Sequence, residues 1–270
     1  MSSRQHEDGS ITISIADIPV CVCCEDPSLL EQIRNRYKLY EVNGEGAHRL
    51  SLSIANEAPG SAGEEIDLAE NRLSITHQTF KGIIDCTSNS SSLELERAHA
   101  PADLEYFLRL VYAYLSYQAG GFLIHSAGVV KQGSAYLFLG PSGSGKSTVA
   151  GLSARYTVLN DDLVLLLPGH EQWRAYSTPF WNAGRGKGAQ PGSAPLAGIF
   201  RLVKDRRNYL EQVSAGEALA DLMAGIPVLS RSARFSAGLL QRCSALMRKS
   251  PVIQLHFTPD ETFWDLIGTG

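Results

Sequence analysis

Through the first hundred residues, apolar side chains come in short alternating runs. Ile11 to Ile15, Val20 to Cys24, Leu50 to Ile54, Leu73 to Thr76, Phe80 to Cys86 and Leu93 to Leu95 each read as a strand bounded by turn-forming residues. One stretch departs from this rhythm: Leu29, Leu30, Ile33 and Tyr37 recur at helical spacing and predict a single helix among the strands. Residues 1–100 are therefore expected to form a β-rich α+β module, with polar surface loops at Asn43 to Gly46 and Pro59 to Gly63. At Pro101 the period lengthens. Pro101 suits a first helical turn, and Leu104, Leu108, Val111 and Leu115 make one stripe, which predicts a helix to Gln118. Beyond Gly120-Gly121 the texture becomes strand, turn, strand, Gly-rich loop and helix, so 101–270 is expected to be an α/β domain around a central sheet. Two amphipathic helices, Gly216 to Ala224 and Leu229 to Lys249, a strand Val252 to Phe257 and a short helix near Trp264 complete the expectation.

The Gly-rich loop carries the chemistry. Gly140-Pro141-Ser142-Gly143-Ser144-Gly145-Lys146-Ser147 fits the phosphate-loop pattern G-x-x-x-x-G-K-[ST] at every fixed position. It follows the apolar strand Ala135 to Leu139 and opens a predicted helix from Ser147 to Arg155, which is the setting that gives the pattern meaning. Glycines let successive backbone N–H groups turn inward around a phosphate, and the helix start adds partial positive charge. Gly140, Ser142, Gly143, Ser144, Gly145, Lys146, Ser147 and Thr148 are thus the expected nucleotide-binding set. Within it Lys146 would bridge the β- and γ-phosphates and the Ser147 hydroxyl would sit on Mg²⁺. ATP and Mg²⁺ are the expected cofactors.

Register places two neighbours. A helix of about ten residues from Lys146 travels ~15 Å from the phosphates, and six extended residues from Tyr156 to Asp161 return up to ~20 Å. Asp161 and Asp162 then stand level with the γ-phosphate, as metal ligands or proton acceptor; the plainer alternative is a solvated turn between strands. Ser126 to Lys131 and Ser134 to Gly140 read as a hairpin closed by Gln132-Gly133, a ladder that sets His125 opposite Gly140. His125 could contact phosphate, tune an acid, or be a satisfied structural histidine. Arg185 and Lys187, flanked by Gly184, Gly186 and Gly188, suit either a flap that closes over phosphate or a solvated basic loop. Arg201, Lys204, Arg206 and Arg207 read as a solvated basic face, from which one cation could reach a transferring phosphoryl group.

Composition narrows the partners. A net charge of -4 offers no general attraction to nucleic acid or anionic membrane, so a polyanion must be met locally. The five cysteines are odd in number and lack zinc-site spacing, and Cys21-Val22-Cys23-Cys24 alternates like a strand. No signal-peptide core begins the chain, and no uncharged apolar run reaches the ~18 residues of a membrane span. A cytoplasmic location is expected, without nucleic-acid or membrane partners and with room for a homo-oligomer.

Together, His125 in a strand, the loop Gly140 to Ser147, and Asp161-Asp162 after the short strand Tyr156 to Leu159 resemble the catalytic domain of bacterial HPr kinase/phosphorylase and its shortened relatives. Kinases of lasso and other ribosomal-peptide precursors belong among those relatives. The likeness runs from about Gly120 to the C-terminus. It implies an HPr-kinase-like P-loop core and an ATP-dependent serine kinase, with a serine-bearing peptide or small protein as partner. It further implies that the Asp161–Asp162 pair includes the general base and lies near Mg²⁺, with Ser147 as metal ligand, Lys146 as phosphate clamp and His125 as an auxiliary polar group. The first hundred residues do not look like the regulatory domain of the HPr enzymes. The Glu-Leu-Arg-Gly stretch tied to phosphorolysis is absent, and Asn182 to Gly188 stands near its place. A kinase of a small hydroxylated metabolite and a non-catalytic ATP-binding switch are the competing expectations.

Overall fold

The computed structural model describes residues 9–60, 63–69, 71–180 and 191–267. The chain is a strand-rich α/β protein with two sheets, divided into units Met1–Tyr112 and Ala113–Gly270.

The first unit holds strands β1 (Ser10–Ile15), β2 (Ile18–Cys24), β3 (His48–Ala55), β4 (Glu65–Leu68), β5 (Arg72–His77), β6 (Phe80–Asp85) and β7 (Ser90–Glu96), in the order β1-β2-β3-β7-β6-β5-β4. β2, β3 and β7 run parallel, so the chain needs a crossover between β2 and β3, and helix α1 (Pro27–Tyr37) supplies it. Asp26 caps that helix, its Oδ1 accepting the Leu29 amide at 2.9 Å. Strand β4 escaped the pattern because its four residues, Glu-Ile-Asp-Leu, are too few and too acidic to register.

Helix α2 (Ala100–Gln118) crosses from one unit to the other. Its first half buries Leu104, Phe107, Leu108 and Val111, and the Phe107 ring lies so close over Gly82 that a Cβ there would meet it at 2.3 Å. That packing draws residues 101–112 into the first unit, where the sequence placed the division at 100/101.

The second unit contains β8 (Phe122–His125), β9 (Ala127–Lys131), β10 (Ser134–Leu139), helix α3 (Lys146–Leu152), β11 (Thr157–Asn160), β12 (Leu163–Pro168), β13 (Trp173–Tyr176), β14 (Ser193–Lys204), β15 (Tyr209–Gln212), helices α4 (Ala215–Gly225) and α5 (Ala233–Lys249), and β16 (Val252–Phe257). The sheet runs β11-β9-β10-β14-β13-β12-β8, with β16 beside β14 and β15 beside β16. Strand β14 joins its parts: residues 193–195 pair with β13, and the remainder runs parallel to both β10 and β16. The β9–β10 hairpin has the expected register, Lys131 opposite Ser134, because Gln132 and Gly133 both take positive φ (52° and 79°) as a tight two-residue turn requires.

Two expectations need correction. The helix after the loop ends at Leu152, not Arg155: the buried Ser153 bonds its own hydroxyl back to Val149 O at 2.7 Å and accepts Trp264 Nε1 at 3.0 Å, which anchors the turn before β11. The stretch 229–249 is not one helix. Val228 has φ 58°, Leu229–Arg231 is a 3-10 turn, and Ser232 is extended before α5 starts.

Candidate functional site

A cavity of about 980 Å³ opens at the C-terminal ends of β8, β10 and β11 and is lined by the loop after β10. Loop shape follows from its glycines. Gly140, Gly143 and Gly145 have φ of 146°, 81° and 112°, a region closed to ordinary side chains. A Cβ on Gly140 would meet Ser144 Oγ at 2.6 Å, and one on Gly145 would meet the Phe257 ring at 2.6 Å. Phe257 belongs to a buried cluster with Phe138, Phe200, Phe263 and Trp264, so the loop rests on a close-packed floor.

Lys146 curls back over the loop, its Nζ donating to Gly140 O at 2.7 Å and Pro141 O at 3.1 Å. Burial lowers its pKa from the usual lysine range, while the Asp162 carboxylate pulls the other way. An ammonium held only by carbonyls, with a carboxylate in its field, can turn to an incoming anion. Ser142, Gly143, Ser147 and Thr148 line the same cavity, and Ser144 supports Gly140 from inside the loop.

Asp161 and Asp162 also line the cavity. They return to it although helix and strand are shorter than expected, seven and four residues, because both shortened together. Asn160, 1 % exposed, holds their turn. Its Oδ1 accepts the amides of Asp162 (2.7 Å) and Leu163 (3.0 Å), and its Nδ2 donates to Thr178 O (2.9 Å), Thr178 Oγ1 (3.1 Å) and Phe180 O (3.1 Å). A buried amide with five partners fixes the backbone under both carboxylates. Sequence reasoning passed over it, although an Asn closing a strand before two acids is an Asx-turn signal.

His125 leaves the hairpin ladder, which ends at Phe138 opposite Ala127, and pairs instead with Leu163. It still lines the cavity with Gly140, and its Nδ1 stands 3.4 Å from Asp162 Oδ1. Ser126 N donates to Asp162 O at 3.0 Å, so the crossing between β8 and β9 and that between β11 and β12 are tied together at the site.

The basic run read as a solvated face, from which one cation could reach a phosphoryl group, divides in two. Arg201 and Lys204 line the cavity, whereas Arg206 and Arg207 are exposed outside it. Arg201 Nε lies 3.4 Å from Asp221 Oδ2 of α4. Asp221 gave no sequence signal, since its partner sits on a strand before it. Arg185 and Lys187 lie outside the described residues. Among the described residues, no cluster of three or more His, Cys, Asp or Glu side chains is placed to hold a metal. The donors that remain, Ser147 with Asp161 or Asp162, suit a hard cation that keeps waters and takes its other oxygens from a bound phosphate.

The sequence model of a family described as SynChlorMet cassette protein ScmC matches residues 102–268, more than half of the chain. The chain belongs to the ScmC family. The match takes in every residue that lines the cavity, from His125 to Gly225, so the site of this ScmC protein lies inside the family's shared segment. The seven-stranded sheet of the ScmC chain lies before it. No curated protein matches the chain. No helix among its described residues is long and apolar enough to cross a membrane.

Proposed function

We propose that this protein is an ATP- and Mg²⁺-dependent phosphotransferase with an HPr-kinase-like P-loop core, moving the γ-phosphoryl group to a serine hydroxyl of a peptide or small protein. One observation carries the reading: the Gly140–Thr148 loop, Lys146 and the Asp161–Asp162 turn line a single cavity. A loop that only rigidified a βα turn would have no use for a braced pair of carboxylates facing it. The fit to a triphosphate rests on the positive-φ glycines and on a lysine bonded only to carbonyls.

Lys146 exchanges its two carbonyl partners for phosphate oxygens and neutralises charge on the β- and γ-groups. Ser147, with a carboxylate of the pair, holds the metal position. Mg²⁺ supplies electrostatic neutralisation of the phosphates. Asp162, oriented by the Asn160 turn and by His125, accepts the proton of the acceptor hydroxyl. The bond from phosphorus to the β–γ bridging oxygen breaks with its electron pair leaving on ADP, as the bond to the serine oxygen forms. Positioning and electrostatics supply most of the acceleration.

The test is incubation of the whole chain with MgATP and serine-containing peptides, with ADP release and phosphopeptide mass as readouts. Lys146→Ala should lose both nucleotide affinity and turnover. Asp162→Asn should keep nucleotide binding and lower transfer by about 10²-fold or more. Unaltered transfer in both Asp161→Asn and Asp162→Asn would sink the catalytic reading. ADP formation with a hydroxylated metabolite and no labelled peptide would move the reading to a metabolite kinase. Nucleotide binding with a shape change and no transfer would move it to a switch.

A further inference from the structure

Arg201 stands where a phosphoryl group would need a second cation, and it is poorly held. On β14 it pairs with Leu139 of β10, the residue just before Gly140, so its backbone adjoins the start of the loop. Its side chain is one-third exposed and lines the cavity. The contact with Asp221 is an ion pair at 3.4 Å without hydrogen-bond geometry, and Asp221 Oδ2 is buried with no hydrogen-bond partner. The Arg201 guanidinium makes no hydrogen bond among the described residues, and besides Asp221 only the charge of Glu217 acts on it. A structural arginine would spend its fork on a carboxylate in two parallel bonds. Here the fork stays uncommitted beside the loop. Asp221 is uncomfortable as an anion: burial raises its pKa, Glu217 adds to the rise, and Arg201 opposes it.

We infer that Arg201 is a further catalytic residue, an arginine that forks onto the transferring phosphoryl group, and that Asp221 is its positioning partner, holding the guanidinium back until an anion displaces it. The inference rests on the phosphotransfer reading above. As the bond to the bridging oxygen of ADP breaks, charge collects on the equatorial oxygens of the phosphoryl group, and a planar fork can donate to two of them. Lys204, whose Cε comes within 3.7 Å of a Cβ built on Gly145, adds a cation on the same side.

The probe is ADP with Mg²⁺ and aluminium fluoride, which mimics the phosphoryl group in transfer, compared with ADP alone by calorimetry on the full chain. Arg201→Gln should leave ADP affinity unchanged and weaken the fluoride complex by about 10²-fold. Arg201→Lys should recover only part of that loss, because an ammonium has no fork. Asp221→Asn should tighten the fluoride complex, and the gain should vanish in the Arg201→Gln background. Wild-type affinity for the fluoride complex in Arg201→Gln overturns the inference while leaving the nucleotide reading intact. So does an Asp221→Asn effect that survives without Arg201. If Lys146→Ala binds ADP as the wild type does, the nucleotide reading falls and this inference falls with it. Thermal melting of each variant separates loss of fold from loss of the contact.

Discussion

Strands β6 and β11 both end on a side chain that caps the turn after it. At the end of β6, Asp85 Oδ1 accepts Thr87 N at 2.7 Å, Thr87 Oγ1 at 2.6 Å and Ser88 N at 3.1 Å. At the end of β11, Asn160 Oδ1 accepts Asp162 N at 2.7 Å and Leu163 N at 3.0 Å. Local chemistry is nearly the same, and surroundings are opposite. The first turn is exposed, so a carboxylate serves, and its hydrogen bonds hold its pKa down to about 2. The second is buried beneath the two carboxylates that line the cavity, where a third negative charge would be unscreened and would have nothing to donate to Thr178 and Phe180. An amide brings an acceptor for one side and donors for the other without net charge. The difference teaches that a turn becomes a device for holding functional groups when its cap is buried and fully used.

Asn160→Asp should break this contrast most sharply. The variant buries a carboxylate and removes the donor that Asn160 Nδ2 presents to Thr178 and Phe180. The expected loss is about 3 to 5 kcal/mol, read by urea unfolding through tryptophan fluorescence, since all 3 tryptophans of the chain fall in the second unit. If the proposed phosphotransfer holds, protein that still folds should turn over nucleotide about 10²-fold more slowly, since the carboxylates lose their bracing.

His48 offers a sharper view of burial in the first unit. It is 2 % exposed, its Nε2 meets Ser91 Oγ at 3.0 Å, its Nδ1 has no hydrogen-bond partner, and burial pushes its pKa down to about 4. An imidazole with a pKa below its free value of 6.5 takes its proton more readily in the unfolded chain. Stability is therefore full above about pH 6.5 and falls as the pH drops towards 4, by up to about 3 kcal/mol. Chemical denaturation at pH 7 and pH 4.5 should show the slope, and His48→Gln should flatten it.

The smallest effect belongs to Asp85→Asn. The amide oxygen can still accept from Thr87 and Ser88, so only the charge contribution is lost. Because the folded pKa lies below the free value, that contribution is present above about pH 4 and disappears as the pH falls through 2. A slight drop in melting temperature at pH 7, vanishing near pH 2, is the expected calorimetric result. An Asp85→Asn effect as large as that of Asn160→Asp would show that burial is not what separates the two turns.

Legibility tracked the range of the interactions. Strand alternation gave six of the first unit's strands approximate limits, and helical periodicity gave α1, α2 and α4, because those signals repeat within a few residues. Strands β12 to β15 went unread. Leu163–Pro168 has no alternation to find, and the pairing of β14 with β10, β13 and β16 is decided by partners far along the chain. In the site, the loop residues and the Asp pair were visible as a motif and a chain-length count. Arg201 was legible only as one of four cations in a basic run and Asn160 only as a turn residue, while Asp221 gave no signal, because the place of each in the site comes from a distant partner.

By itself, then, the sequence determined the positive-φ loop, the strand and helix that flank it, and the return of Asp161 and Asp162 after a short excursion. Steric limits on φ and the fixed rise of helix and strand act within a few residues and need no knowledge of the fold. Only the tertiary structure decided that α2 splits its allegiance between units, that Asn160 is buried, and that Arg201 and Asp221 face the loop. Burial and charge pairing depend on which distant segments arrive beside a residue, and that is a property of the packed chain alone.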